Sequence, residues 1–162
     1  MAHLELNAPI ISGQSAAGFQ LGMNVGDIEP LLTTAVRSPD LPRPINAQLA
    51  TGNTFVVVDA DDQIRQVFFG EHVTLAFNAR GRLYCISLSG KYLGTYLGKH
   101  GIGTPMKDLQ EQHPLDYDEG DEMNYPEAQL ACGISFGGSC CPLEDDPEQT
   151  IVCMTVHDWS HQ

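Results

Sequence analysis

The chain has 162 residues, with 21 Asp and Glu against eight Lys and Arg, a formal net charge of -13. That balance repels nucleic acid and anionic lipid, so neither is expected as a partner; it serves either plain solubility or attraction for a basic partner. No stretch nears the ~20 apolar residues of a membrane helix.

With 42 % apolar residues, a chain of this length has material for a real core and is expected to form a single domain, 1–162. The opening MAHLELNAPIISG has neither a basic region nor a long apolar run, so no signal peptide is expected. The five cysteines, Cys85, Cys132, Cys140, Cys141 and Cys153, are odd in number. Without an export signal they are expected as free thiols in a cytoplasmic protein.

In chain order, 26-GDIEPLLTTAV-36 predicts the first helix. Asp27 stands at its cap or first turn, Pro30 is tolerated there, and Ile28, Leu31, Leu32 and Ala35 share one face. The three prolines of 38-SPDLPRP-44 predict a loop. Then 54-TFVVVD-59 and 63-QIRQVFF-69 predict strands around the turn 59-DADD-62, and 72-HVTLAF-77 and 82-RLYCISL-88 predict two more around 78-NARG-81. A second helix is predicted over 102-IGTPMKDLQEQ-112, capped by Thr104 with Pro105 at its first position and ended by His113-Pro114. An acidic loop is expected over 115–127, a strand over 130–136, a polar loop over 137–149 and a last strand over 150–156.

The halves align. 21-LGMNVGDI-28 lies over 102-IGTPMKDL-109 without a gap, 73-VTLAF-77 over 132-CGISF-136, and 82-RLYCISL-88 over 150-TIVCMTV-156. The expected fold class is therefore α+β: two degenerate repeats, about 1–92 and 93–162, each a helix followed by an antiparallel β-meander.

The run GFQLGMNVGDI and its counterpart GIGTPMKDL, each followed by strands, resemble the helix-plus-sheet unit of the β-lactamase-inhibitor-protein-like fold. Small outer-membrane assembly lipoproteins carry a similar unit, but this sequence lacks their leader and lipidation cysteine. The resemblance implies a concave sheet that binds another protein, no catalytic residue and no cofactor. It also implies a bacterial immunity protein that occludes a cognate toxin, such as a nuclease delivered by a secretion system of the type VI kind. Such a toxin is basic around its active site.

Four constellations bear on chemistry. Gly133-Ile134-Ser135-Phe136-Gly137 matches the G-x-S-x-G of serine hydrolases, but that motif needs a strand–turn–helix on a parallel sheet, and Ser135 falls inside a strand pattern. Cys140, Cys141, Cys153, His157 and His161 are candidate zinc ligands, although adjacent cysteines do not form a C-x2–4-C knuckle; a small metal- or ligand-binding domain is the rival reading. DYDEGDE lacks the ligand spacing of a calcium loop. The remaining features are two acidic runs, Asp116, Asp118, Glu119, Asp121 and Glu122, then Glu144, Asp145, Asp146 and Glu148, with Tyr117 and Tyr125 interleaved in the first. Clustered carboxylates steer a basic partner and tyrosines anchor interfaces, so these residues are the expected partner-binding surface; a merely solvated acidic loop is the alternative.

Overall fold

The computed structural model describes residues 2–40, 43 and 45–162. The proline-rich loop expected over 38–44 lies in part outside them, at Leu41, Pro42 and Pro44. A two-residue hairpin opens the chain, β1 (Ser15–Ala16) with β2 (Phe19–Gln20). Then follow β3 (Val36–Ser38), a short helix α1 (Ile45–Leu49), and a meander of β4 (Thr54–Val58), β5 (Ile64–Phe69), β6 (Val73–Phe77) and β7 (Leu83–Ser89). The second half holds the helix α2 (Met106–Gln110), β8 (Leu115–Asp118), β9 (Met123–Pro126), β10 (Cys132–Gly137) and β11 (Cys153–Asp158).

One nine-stranded sheet runs through both halves in the order β3-β4-β5-β6-β7-β11-β10-β9-β8. Only the β3–β4 pair is parallel. Each half thus ends on its own last strand, and those two strands, β7 and β11, pair antiparallel at the centre. Registers across five pairs align Val56, Val67, Leu75, Ile86, Val156 and Ile134 in one row, each at most 1 % exposed. A second row on the same face holds Phe69, Val73, Leu88, Met154 and Phe136. β-branched and long aliphatic side chains directly opposite one another are what stabilise such a ladder.

That face is covered largely by irregular chain. Phe19 stacks on Phe69 with ring centroids 5.6 Å apart, and Tyr96 tilts against Phe136 at 5.7 Å. Ile28, Leu32, Met106, Leu109 and Ile151 complete the core. Tyr92 bolts the N-terminal segment down: its hydroxyl donates to the Ala8 carbonyl at 2.6 Å and accepts from the Ala17 amide at 3.2 Å.

The α+β expectation is overturned. Strands take 37 % of the residues and helical turns 12 %, and among the described residues both α-helices are five residues long. Instead of a helix over 26–36, two 3-10 turns form, Val25–Asp27 and Glu29–Leu32, and Val36 already belongs to β3. Gly26, Pro30 and the β-branched pair Thr33-Thr34 all disfavour a longer helix, while the two turns still bury Ile28 and Leu32. α2 buries Met106 and Leu109 on the expected face but stops after one turn and a half. Thr104 does not cap it; its hydroxyl accepts from the Gly101 amide at 3.0 Å, and Pro105 takes the cap position. The acidic stretch expected as a loop over 115–127 is the β8–β9 hairpin. The strands expected over 54–59, 63–69, 72–77, 82–88, 130–136 and 150–156 coincide with β4 to β7, β10 and β11, the last two beginning later, at Cys132 and Cys153. No helix among the described residues is long and apolar enough to cross a membrane.

The two halves share a docking contact. Gly22 donates to the Leu83 carbonyl at 2.7 Å and Leu83 donates back to Met23 at 2.9 Å; Gly103 donates to Ile151 at 2.7 Å and Ile151 back to Thr104 at 2.9 Å. Both glycines hold a left-handed φ, +84° and +87°, with open space where a Cβ would stand. The hairpin alignment shifts by two residues: Ala76 lies opposite Cys85 where Gly137 lies opposite Cys153. Because only backbone strain opposes a side chain there, Gly22→Ala and Gly103→Ala are each expected to cost about 1–2 kcal/mol in urea denaturation. Gly18→Ala is expected to cost more, since its Cβ would collide with the His3 carbonyl oxygen.

Candidate functional site: an acidic groove at the sheet edge

The β8–β9 hairpin forms one edge of the sheet. Asp116 lies opposite Tyr125 and Tyr117 opposite Asn124, so Asp116 and Asp118 share the face of Tyr125 while Tyr117 points to the other. Carboxylates fix the turn. Asp118 Oδ1 accepts from the Gly120 amide at 2.7 Å, Asp121 Oδ1 accepts from Met123 at 3.0 Å, and the Tyr125 hydroxyl donates to Asp121 Oδ2. Burial, then the Asp121 carboxylate, push the Tyr125 phenol up to about 12.

Two hollows meet on this hairpin. One of ≈ 340 Å³ is lined by Asp116, Tyr117, Asp118, Glu119 and Tyr125 together with Pro126, Ala128 and Leu130. The other, ≈ 450 Å³, shares Asp118, Tyr125 and Leu130 and adds Gly120, Asp121, Trp159 and Gln162. Together they make a groove with carboxylates on one wall and an apolar lip at Leu130, itself 58 % exposed. Among the described residues no cation pairs with Asp116, Asp118, Glu119, Asp121 or Glu122. Glu122 faces the Cys140 thiol and pushes its pKa up.

The second acidic run has other neighbours. Glu148 pairs with Lys107 of α2 at 2.9 Å, and Asp146 Oδ2 accepts from the Ser139 hydroxyl at 2.6 Å. The buried Gln149 ties the same loop, donating to the Cys141 and Asp146 carbonyls. Glu144 and Asp145 are exposed. None of the four lines the groove. The loop does reach the hairpin, because desolvation and the charges of Glu122, Cys140 and Cys141 raise the Tyr117 phenol. Of the eleven residues singled out in the sequence, the structure thus gathers Asp116, Tyr117, Asp118, Glu119, Asp121 and Tyr125 around the groove. Tyr125 is a buried wall rather than a projecting anchor.

Beneath the groove lies a seam that the sequence does not reveal. His157 is fully buried, stacked on Trp159 at 4.6 Å and edge-on to Tyr125 at 5.5 Å. Neither ring nitrogen has a hydrogen-bond partner, and neither does the buried Ser135 hydroxyl. Ser135 lies near enough to the Tyr125 phenol to lower its pKa, but without hydrogen-bond geometry. Ser135 sits in mid-strand opposite Thr155, with no turn and no following helix, so its G-x-S-x-G is not a nucleophile elbow. Cys85, opposite His157, has its thiol pushed up to about 11 by burial. Among the described residues no three His, Cys, Asp or Glu side chains converge as a metal site, and all five cysteines are free thiols.

Burial holds the His157 imidazole below its ordinary value, opposed by the Ala131 carbonyl and by Asp121 and Asp158; His100, also buried without partners, is lowered by burial, Lys99 and His113. Below about pH 6.5 the unfolded chain takes up protons that the fold refuses. Stability is therefore expected to drop as pH falls through that value towards the lowered folded ones. His157→Phe keeps the ring stack and should flatten part of this slope. Urea midpoints between pH 7.5 and 5, followed by the single tryptophan, Trp159, check it; equal slopes for both proteins would place the acid sensitivity elsewhere.

Comparison with family models, with curated proteins and with solved structures finds no match to this chain.

Proposed function

We propose that the protein is an inhibitor of the immunity type, which binds a cognate toxin in the cytoplasm and blocks its basic active-site surface. The observation that carries this reading is the groove itself: Asp116, Asp118 and Glu119 stand unpaired by any described cation beside the exposed Leu130. Unpaired carboxylates on a rigid turn raise the rate at which a basic partner arrives in the right orientation. A groove with an apolar lip lets the same contact exclude water, which is what makes a charge pair strong. Carboxylates held at a strand edge can occupy positions that a nuclease keeps for substrate phosphates. The protein acts in this reading by occupying a surface, with no chemistry of its own.

The test begins with the partner retained from a host lysate by the tagged chain at low salt and released at high salt. The purified partner should be basic, and its enzymatic activity should fall stoichiometrically on addition of the protein. Asp116→Lys with Glu119→Lys spares the turn-fixing Asp118 and Asp121. It should slow association by about tenfold at low ionic strength and flatten its salt dependence. Stopped-flow rates unchanged by that pair of substitutions would defeat the reading.

A further inference from the structure

The acidic surface has a basic counterpart. A hollow of ≈ 550 Å³ is lined by Gly22, Asn24, Asn78, Arg80, Arg82, Leu83 and His161. A second of ≈ 270 Å³ adjoins it, sharing Asn78, Arg80 and His161. No lining residue of either is acidic. Two of the eight Lys and Arg of a chain with net charge -13 therefore converge on one concavity. Among the described residues neither arginine is paired with a carboxylate. Both arginines are exposed, so their free guanidinium N–H groups are open to an anion from solvent.

The site is built rather than accidental. Asn78 Oδ1 accepts from the backbone amides of Arg80 at 2.9 Å and Arg82 at 3.0 Å, fixing the turn that carries both side chains. The Asn78 amide nitrogen donates to the His161 carbonyl at 2.6 Å, which ties the C-terminal turn to the rim. Val25 donates to the Gly81 carbonyl at 2.8 Å, closing the third side. Arg82 Nη1 donates to the Gly22 carbonyl at 2.9 Å. One nitrogen is so anchored while the rest of the fork stays free to donate, the arrangement that suits a bidentate oxyanion. Two carboxylates border the site: Asp27 Oδ2 accepts from the Asn24 amide at 3.0 Å, and Asp158 Oδ2 lies 3.4 Å from the His161 ring while its Oδ1 accepts from the Ser160 amide and hydroxyl. The buried Leu83 lends the floor an apolar patch.

We propose that this hollow binds a phosphorylated small molecule, with Arg80 and Arg82 taking the phosphate and Asn24, Leu83 and His161 bordering the organic part. A dianion matches two guanidinium groups better than a lone carboxylate does, and the volume exceeds what one phosphate group fills, as for a site of metabolite size. The inference does not depend on the acidic groove: the larger hollow shares no lining residue with it, and the smaller one shares only Gln162.

Titration calorimetry and 15N–1H spectra of the full chain, with ribose 5-phosphate, inorganic phosphate and ribose at matched ionic strength, test it. Saturable binding of the phosphate probes with shifts at Gly81 to Leu83, and none with ribose, upholds the site. Tighter binding of ribose 5-phosphate identifies an organic phosphate as the ligand, and equal binding identifies the free anion. Arg80→Gln removes no hydrogen bond of the fold and should weaken binding about tenfold or more. Arg82→Gln should weaken it further, with the melting temperature checked because Arg82 also holds Gly22. Absence of saturable binding by both phosphate probes, or an Arg80→Gln protein that binds as tightly as the wild type, would overturn the proposal.

Discussion

The antiparallel pairing of β7 with β11 is the contact on which the molecule depends. Each half contributes its last strand, and the register sets Ile86 against Val156 and Leu88 against Met154. Those four side chains are fully buried and join the apolar rows of both meanders into one. Without that seam one half would be a five-stranded sheet and the other a four-stranded one, each with an unpaired apolar edge strand, a template for aggregation. The docking of Gly22 on Leu83 and of Gly103 on Ile151 brings an irregular segment to the start of β7 and to the residues just ahead of β11. The central pair therefore positions the cover of the core as well as the core.

The same seam governs the opposite face. Along it Phe55, Phe68, Thr74, Ser87, Thr155 and Ser135 form a row that passes from aromatic rings to hydroxyls. Ser87 and Thr155 lie 3.4 Å apart, oxygen to oxygen, across the central pair. Ser87 and Thr155 tolerate burial there because each hydroxyl faces the other, whereas Ser135 at the end of the row and His157 among the rings keep no hydrogen-bond partner. The imidazole is held neutral by its surroundings, and the indole of Trp159 closes over it. The wall of the acidic groove thus rests on an aromatic stack, Tyr125 edge-on to His157 and His157 face to face with Trp159.

Most strands were legible, whereas the helix over 26–36 was misread and α2 was placed but read too long, for a physical reason. β-branched runs such as TFVVV and the alternation of VTLAF match a period that few other structures satisfy. The spacing of Ile28 and Leu32 matches a helix and equally matches two 3-10 turns, and Gly26 with Pro30 tips the balance to the latter. The β8–β9 hairpin was hidden because LDYD and MNYP carry residues that strands usually avoid. Acids on an edge strand are a known device against edge-to-edge pairing, so their presence there is consistent with the position once the topology is known. Of the site, the acids at 116–121 were legible from charge alone. Leu130, Ala128 and Pro126 were not, because an apolar lip is defined by the fold's exposure and not by residue type. The basic hollow was equally invisible: Arg80 and Arg82 read as a turn, and Asn24 and His161 lie far from them in sequence.

Charge separation on this surface follows from how β11 ends. The strand leads into a 3-10 turn, Trp159–His161, started by Asp158 accepting from the Ser160 amide at 3.1 Å. Trp159 faces the acidic groove, whereas His161 faces the arginines at the β6–β7 turn. Gln162 borders the acidic groove on one side and the smaller basic hollow on the other. A turn of three residues thus stands between the carboxylate-lined groove and the arginine-lined hollow. The groove's carboxylates and the net charge of -13 act together in steering the proposed basic partner, while the arginine-lined hollow would act on a ligand already in contact.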